Sequence, residues 1–148
     1  MKFILKIALF FLIFNNCLAQ SSIQKIDYTG KWVLTDYWKN TSDFILSSDN
    51  YVSMSINGEF IDGQNFIIKG GTNDGQKGEL KFSINYEKNP IEIDFILIKN
   101  NSEKSRILGV IKPINENEFE MTMSFDGNRD TNFSSENSEN IMSAKRKL

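Results

Sequence analysis

Glu118-Phe119-Glu120-Met121-Thr122-Met123-Ser124-Phe125 alternates polar and apolar side chains without a break. Successive side chains of a β-strand point to opposite faces, so the two Phe and two Met residues share one face. The stretch therefore predicts a half-buried strand with one face in water. Similar patterns along the chain predict strands near residues 30–38, 51–57, 59–62, 65–69, 78–87, 91–99, 105–114, 118–125 and 140–147.

Turn-forming pairs such as Asp62-Gly63 and Asn89-Pro90 separate these predicted strands, and the many asparagines between them tolerate left-handed backbone. The single helix that we predict is a short one over Thr41–Ser48, where Ser42 or Asp43 can cap the first turn. Residues 134–140 are polar and aperiodic, which predicts a loop.

Eight or nine short strands joined by hairpin-length connections indicate an all-β, antiparallel meander. A barrel and a sandwich both fit this periodicity. We expect a barrel, because closure removes the exposed edges that a short open sheet would leave.

The N-terminus is typical of a secretory signal peptide over residues 1–19, with a basic start, a short apolar run and a small-residue cleavage site at Ala19. Cys17 lacks the preceding residues that lipidation requires, since Asn16 and Phe14 occupy those places. We therefore predict a lead over residues 20–29 and a barrel over residues 30–148. The expected location is secreted, periplasmic or cell-envelope, without lipid anchoring or stable membrane insertion after cleavage.

Composition excludes several kinds of chemistry. The chain has 148 residues, no histidine and a single cysteine, so a His-based triad, a Cys/His zinc site and a disulfide framework lack their parts. Lys and Arg number 17 against 19 Asp and Glu, a balance that argues against a nucleic-acid partner. We expect no enzymatic activity, no metal and no cofactor.

Three polar motifs have a chemical and a structural interpretation. Asp126–Asp130 resembles the start of a calcium loop, but Thr131 and Asn137 replace the required Gly and Glu. Gly70–Gly78 is glycine-rich, but a predicted strand follows it where a phosphate loop needs a helix. We predict hairpin loops for both. The carboxylate pairs predict solvated strand faces, with hydrolysis as a distant alternative, and they are Glu92 with Asp94 and Glu118 with Glu120.

Apolar side chains on the inner faces of a small barrel either fill it or line a cup for a ligand. Both interpretations remain open for the candidate lining residues, which are Met54, Phe82, Ile84, Tyr86, Phe95, Met121 and Met123.

Gly30-Lys31-Trp32 opens the first predicted strand, and Ala144-Lys145-Arg146-Lys147 ends the last. This pairing resembles the lipocalin-like barrels. The resemblance implies that Trp32 plugs one end, that Gly30 permits close backbone approach, and that Lys145 or Arg146 covers the indole ring. A cation over an indole contributes about 0.5–2 kcal/mol.

Further motifs resemble the uncharacterised, planctomycete-type lipocalin-like domain family of secreted bacterial proteins, and they are Gly30–Val33, Gln76–Leu80, Asn89–Phe95, Ile107–Ile111 and Arg129 with Phe133. The chain departs from the family at Asp130, where proline is usual, and lacks the longer helical insertion after the first strand. The family has no established activity, so the resemblance implies fold and export.

The leading functional hypothesis is an exported, non-enzymatic protein that holds a small apolar or amphipathic ligand in a barrel cup. The alternative is a cell-envelope domain with a filled barrel that binds protein through its loops. A hydrolase that uses paired carboxylates is the third.

Overall fold

The computed structural model describes residues 25–147 except residue 57, together with the backbone but not the side chain of Ile56. The signal peptide predicted over residues 1–19 lies outside the described residues. The described chain forms ten strands: β1 Gly30–Thr35, β2 Thr41–Leu46, β3 Val52–Ile56, β4 Glu59–Ile61, β5 Phe66–Ile67, β6 Lys77–Asn85, β7 Ile91–Lys99, β8 Ser102–Asn115, β9 Glu118–Ser124 and β10 Ile141–Arg146.

All strand pairs are antiparallel, and the strand order is β4-β3-β2-β1-β10-β9-β8-β7-β6-β5. Pairing of β1 with β10 joins the two ends of the meander, for example through Trp32 opposite Arg146. The predicted antiparallel barrel is confirmed. It has ten strands instead of eight or nine, and it is nearly closed.

The helix predicted over Thr41–Ser48 is wrong, because this segment contains strand β2. Its three consecutive apolar residues carry no periodicity of their own, so the local sequence left helix and strand equally open. Pairing with β1 decides the conformation: Phe44 lies opposite Trp32, and both Phe44 and Leu46 are buried. The polar segment predicted as a loop also differs, since Ser135–Asn140 forms two short 3-10 turns separated by a kink at Asn137.

The barrel closes where β3 meets β6, and Gly63 makes this closure possible. The Gly63 amide donates to the Ser53 hydroxyl at 3.0 Å, and its carbonyl accepts from the Leu80 amide at 2.7 Å. A Cβ atom at position 63 would lie 2.2 Å from the Val52 carbonyl oxygen. Any larger residue would therefore force the two walls apart.

The two ends of the barrel differ. At the closed end, the lead before β1 covers the barrel and the β8–β9 turn lies beside it. At the other end, which we call the loop end, lie the β1–β2 turn (36–40), the β7–β8 turn (100–101) and the long connection over 125–140. Asn100 and Asn101 close their turn with φ of 51° and 58°, the left-handed backbone that asparagine tolerates.

Candidate functional site

Trp32 and Arg146 form the plug of the closed end. Trp32 is 1% exposed, and the Arg146 guanidinium carbon lies 4.1 Å from the centroid of its ring. Arg146 also donates hydrogen bonds to the carbonyls of Thr29 at 2.9 Å and Asp27 at 2.8 Å. One side chain thus covers the indole and fastens the lead to the barrel.

Two more residues were predicted to belong to the plug, Gly30 and Lys145. Gly30 has φ of 121°, and a Cβ atom there would lie 2.9 Å from an Arg146 nitrogen. Lys145 is exposed and points elsewhere, with its ammonium 3.5 Å from Glu118. The structure therefore places Arg146, and not Lys145, over the tryptophan.

Sequence reasoning missed Tyr28, which is fully buried at the same end. Its ring stacks on Tyr86 and meets Phe119 edge-on at 5.3 Å, while its carbonyl accepts a hydrogen bond from the Trp32 indole at 2.8 Å. Within the described residues its hydroxyl has no hydrogen-bond partner, and burial raises the pKa of Tyr28 to about 12. Tyr28 precedes the first strand, so periodicity gave no signal for it.

The seven candidate lining residues all pack into one apolar cluster. Phe82, Phe95 and Met121 are fully or almost fully buried, and Met54, Ile84, Tyr86 and Met123 are partly buried against them. Large rings occupy the same interior, including Trp32 and Phe119 with centroids 4.7 Å apart. The candidates therefore meet side chains from the opposite wall.

Three open surface depressions of about 410, 310 and 500 Å³ lie around the barrel. The first borders Arg146 at the closed end, and the second borders Lys99 near the β7–β8 turn. The third lies beside the 125–140 connection and is the one that touches a candidate lining residue, Met123. Their linings come from turns and strand ends, which indicates surface concavities.

Exposed aromatic rings lie at the loop end. Trp38 is 69% exposed and packs edge-on against Tyr37, with ring centroids 5.7 Å apart. Phe125 is 78% exposed; it was expected to face inward with Met123, but it follows the last residue of β9 and points into solvent. In the sheet, β10 lies between β1, which leads into Tyr37 and Trp38, and β9, which leads into Phe125. We call Tyr37, Trp38 and Phe125 the aromatic surface.

The carboxylates on strand β7 are paired with arginines. Asp94 is 8% exposed, and its two oxygens each lie 2.6 Å from an arginine nitrogen, one of Arg106 and one of Arg129. Arg129 also lies 3.3 Å from Glu92. The hydrogen bonds that Arg106 donates to Glu103 and to Asp94 raise the pKa of its guanidinium further, so it stays charged.

The second predicted carboxylate pair is also neutralised. Glu120 lies 2.9 Å from Lys112, and Glu118 lies 3.5 Å from Lys145. All four carboxylates singled out from the sequence thus have a cationic partner.

The two glycine-containing motifs form connections between strands. The Asp126 carboxylate accepts from the Ser124 hydroxyl and the Asn128 amide, which lowers the pKa of Asp126. Gly70–Gly78 joins β5 to β6 through a 3-10 turn at Gly71–Asn73. Across the described part of the chain, no three His, Cys, Asp or Glu side chains come together as a metal-binding group.

Within residues 25–147, no helix has the length and hydrophobicity needed to cross a bilayer. Comparison with known proteins found no matching family model, curated protein or solved structure. The resemblance to the secreted lipocalin-like family is therefore a proposal that rests on the sequence motifs.

Proposed function

We propose that this chain is an exported, non-enzymatic interaction domain, in which a filled barrel is the scaffold and the loop end binds a protein partner. The observation that supports the proposal most directly is the contrast between the two tryptophans. Trp32 is 1% exposed and Trp38 is 69% exposed, although only five residues lie between them. A soluble domain gains nothing in stability from a tryptophan and a phenylalanine held in water.

The shape of the aromatic surface favours a protein as the partner. It spans two connections, and the depression beside Phe125 is wide and open. Small-molecule sites are enclosed and bury most of their ligand, whereas protein interfaces are broad and enriched in Trp, Tyr and Phe. The leading sequence hypothesis, a ligand cup, requires space among the candidate lining residues, where the structure instead packs Phe95 against Phe44 with centroids 5.9 Å apart.

Site-specific photo-crosslinking tests this function. A photoreactive phenylalanine analogue is placed at position 38, at position 125, or at the control position 114. Ile114 is half-exposed near the closed end of β8, so it matches the probes in exposure but not in location. We expect one protein to crosslink from positions 38 and 125 in the native envelope and not from 114.

A binding measurement with that purified protein completes the test. Trp38→Ala should weaken binding about 30-fold if Trp38 is an interface hot spot. Equal crosslinking from position 114, or unchanged affinity of Trp38→Ala, would contradict the proposal. Stoichiometric retention of a small apolar ligand in native mass spectra would instead favour the cup.

A further inference from the structure

The outer wall of the barrel has a buried patch where the strand pattern predicts exposed residues. Ile93 and Phe95 point into the barrel, so Asp94 between them points outward, yet it is 8% exposed. Val110 and Thr122 are likewise on outer faces, since Ile111 and Met121 beside them belong to the interior, and both are fully buried. Something must cover this part of β7, β8 and β9.

The cover is the segment over residues 125–134, which we call the strap. The Thr122 hydroxyl donates to the Asp130 carbonyl, so the strap passes directly over β9. Phe133 lies over β8, with the Lys112 ammonium 5.5 Å from its ring centroid. These contacts fix the strap to the wall beyond Phe125.

Arg129 is the main attachment of the strap. It donates to Asp94 at 2.6 Å and to the Gly109 carbonyl at 2.8 Å, and it lies 3.3 Å from Glu92. The arginine thus reaches across β8 to β7. The Asp94 carboxylate receives a second arginine, Arg106, on its other oxygen. Because Arg129 donates from two nitrogens to two different strands, these charge-assisted hydrogen bonds fix its orientation as well as its position.

We propose that Asp94 and Arg129 are positioning residues that hold the strap, and with it Phe125, in place for partner binding, and that breaking this pair frees the strap while the barrel stays folded. The role in binding rests on the proposed function; the release of the strap does not. Two features support local release: the pair lies outside the core cluster, and the barrel strands bond to one another independently of the strap.

Losing one partner of a partly buried ion pair leaves the other charge without compensation. Asp94→Asn keeps the shape of the side chain and removes its charge, so two arginines would face a neutral amide. Glu118→Gln is the matched control, because Glu118 is also an outer-face carboxylate paired with one cation, Lys145, but it lies at the start of β9, at the end away from the strap.

Hydrogen exchange of the full mature chain, followed by mass spectrometry, measures the release. In Asp94→Asn we expect amides of residues 126–134 to exchange at least about 10-fold faster, with β7–β9 unchanged. Glu118→Gln should match the wild type in both regions. Unchanged exchange in the strap, or equally faster exchange throughout β7–β9, would overturn the proposal.

If Asp94→Asn does not fold, a second variant tests the same proposal. Arg129→Gln removes the attachment from the strap side and leaves Asp94 paired with Arg106, and it should give the same local pattern. In the crosslinking assay, Asp94→Asn should lose the product from position 125 and keep that from position 38. If the wild type gives neither product, the proposed function is contradicted. Hydrogen exchange of the strap would then still test whether Asp94 and Arg129 hold it.

Discussion

The closed end and the loop end each carry a tryptophan, and the two are held in opposite ways. At the closed end, the Trp32 indole donates to the Tyr28 carbonyl, meets Phe119 and lies under Arg146. At the loop end, Trp38 packs against its sequence neighbour Tyr37 and faces water. The closed end therefore buries its aromatic rings in contacts that stabilise the fold, and the loop end leaves its aromatic rings exposed to solvent.

This difference separates two kinds of substitution. Changes at the closed end should lower the free energy of unfolding, because the contacts there link the lead to β1, β9 and β10 and to Tyr86 after β6. Changes at the loop end should alter binding and leave unfolding nearly unaffected.

The residues between the two ends either form a packed core or line a ligand cup, and substitutions on β9 distinguish these two possibilities. Met121 is fully buried, so Met121→Glu places a charge without a partner in the core and should prevent folding. Circular dichroism and urea titration measure this. The control is Glu120→Gln, whose side chain is on the outer face opposite Lys112 and should have little effect.

Uptake of an apolar fluorescent probe by the wild type completes this test. We expect no saturable uptake, because large buried rings such as Phe44 and Phe95 meet inside the barrel. Saturable uptake that a half-buried substitution such as Met123→Glu abolishes would indicate a cup. A damaging Glu120→Gln would mean that the faces of β9 are inverted.

The two tryptophans give the most direct comparison of the ends. Trp32→Ala should lower the free energy of unfolding by about 3–5 kcal/mol, as truncation of large buried aromatics does. Trp38→Ala should change it by less than about 0.5 kcal/mol, because an exposed side chain has little packing to lose. Urea denaturation of both variants measures the difference; similar midpoints would show that the two ends do not differ in stability.

The buried Tyr28 hydroxyl also affects the stability of the closed end. Its hydroxyl is buried without a partner among the described residues, so Tyr28→Phe should stabilise the fold by about 1 kcal/mol at neutral pH. The folded pKa of Tyr28, about 12, lies above its ordinary value of 10.0. Its protonated form is thus favoured by folding, and this stability is present below pH 10 and lost as the pH rises toward 12.

The expected loss for the wild type between pH 10 and 12 is about 2–3 kcal/mol, at 1.36 kcal/mol for each pKa unit. Tyr28→Phe should lose correspondingly less over the same interval, and urea midpoints at both pH values measure this. An identical alkaline loss in the variant would assign the effect to another group. Tyr86, whose pKa burial also raises, is the next candidate.

The sequence was sufficient for the fold class and for much of the closed end. Alternation with period two fixes which residues of a strand share a face, and that is a property of the local chain. Gly30 and Trp32 open the first strand and a basic pair, Lys145-Arg146, ends the last, so the resemblance predicted a plug without coordinates; the structure decided that Arg146 covers the ring. The turns at asparagines such as Asn100 and Asn101 could also be predicted, because they depend on the conformational preference of those residues.

Tertiary structure alone decided the rest. Whether Phe44 belongs to a helix or a strand depends on β1 beside it, and whether Phe82 lines a cup or fills a core depends on the opposite wall. Asp94 is a surface residue by periodicity and becomes buried because Arg129, 35 positions away, lies over it. Burial is a property of what packs against a side chain, and partners that are distant in sequence leave no periodic signal, so the fold class could be predicted and the candidate site could not.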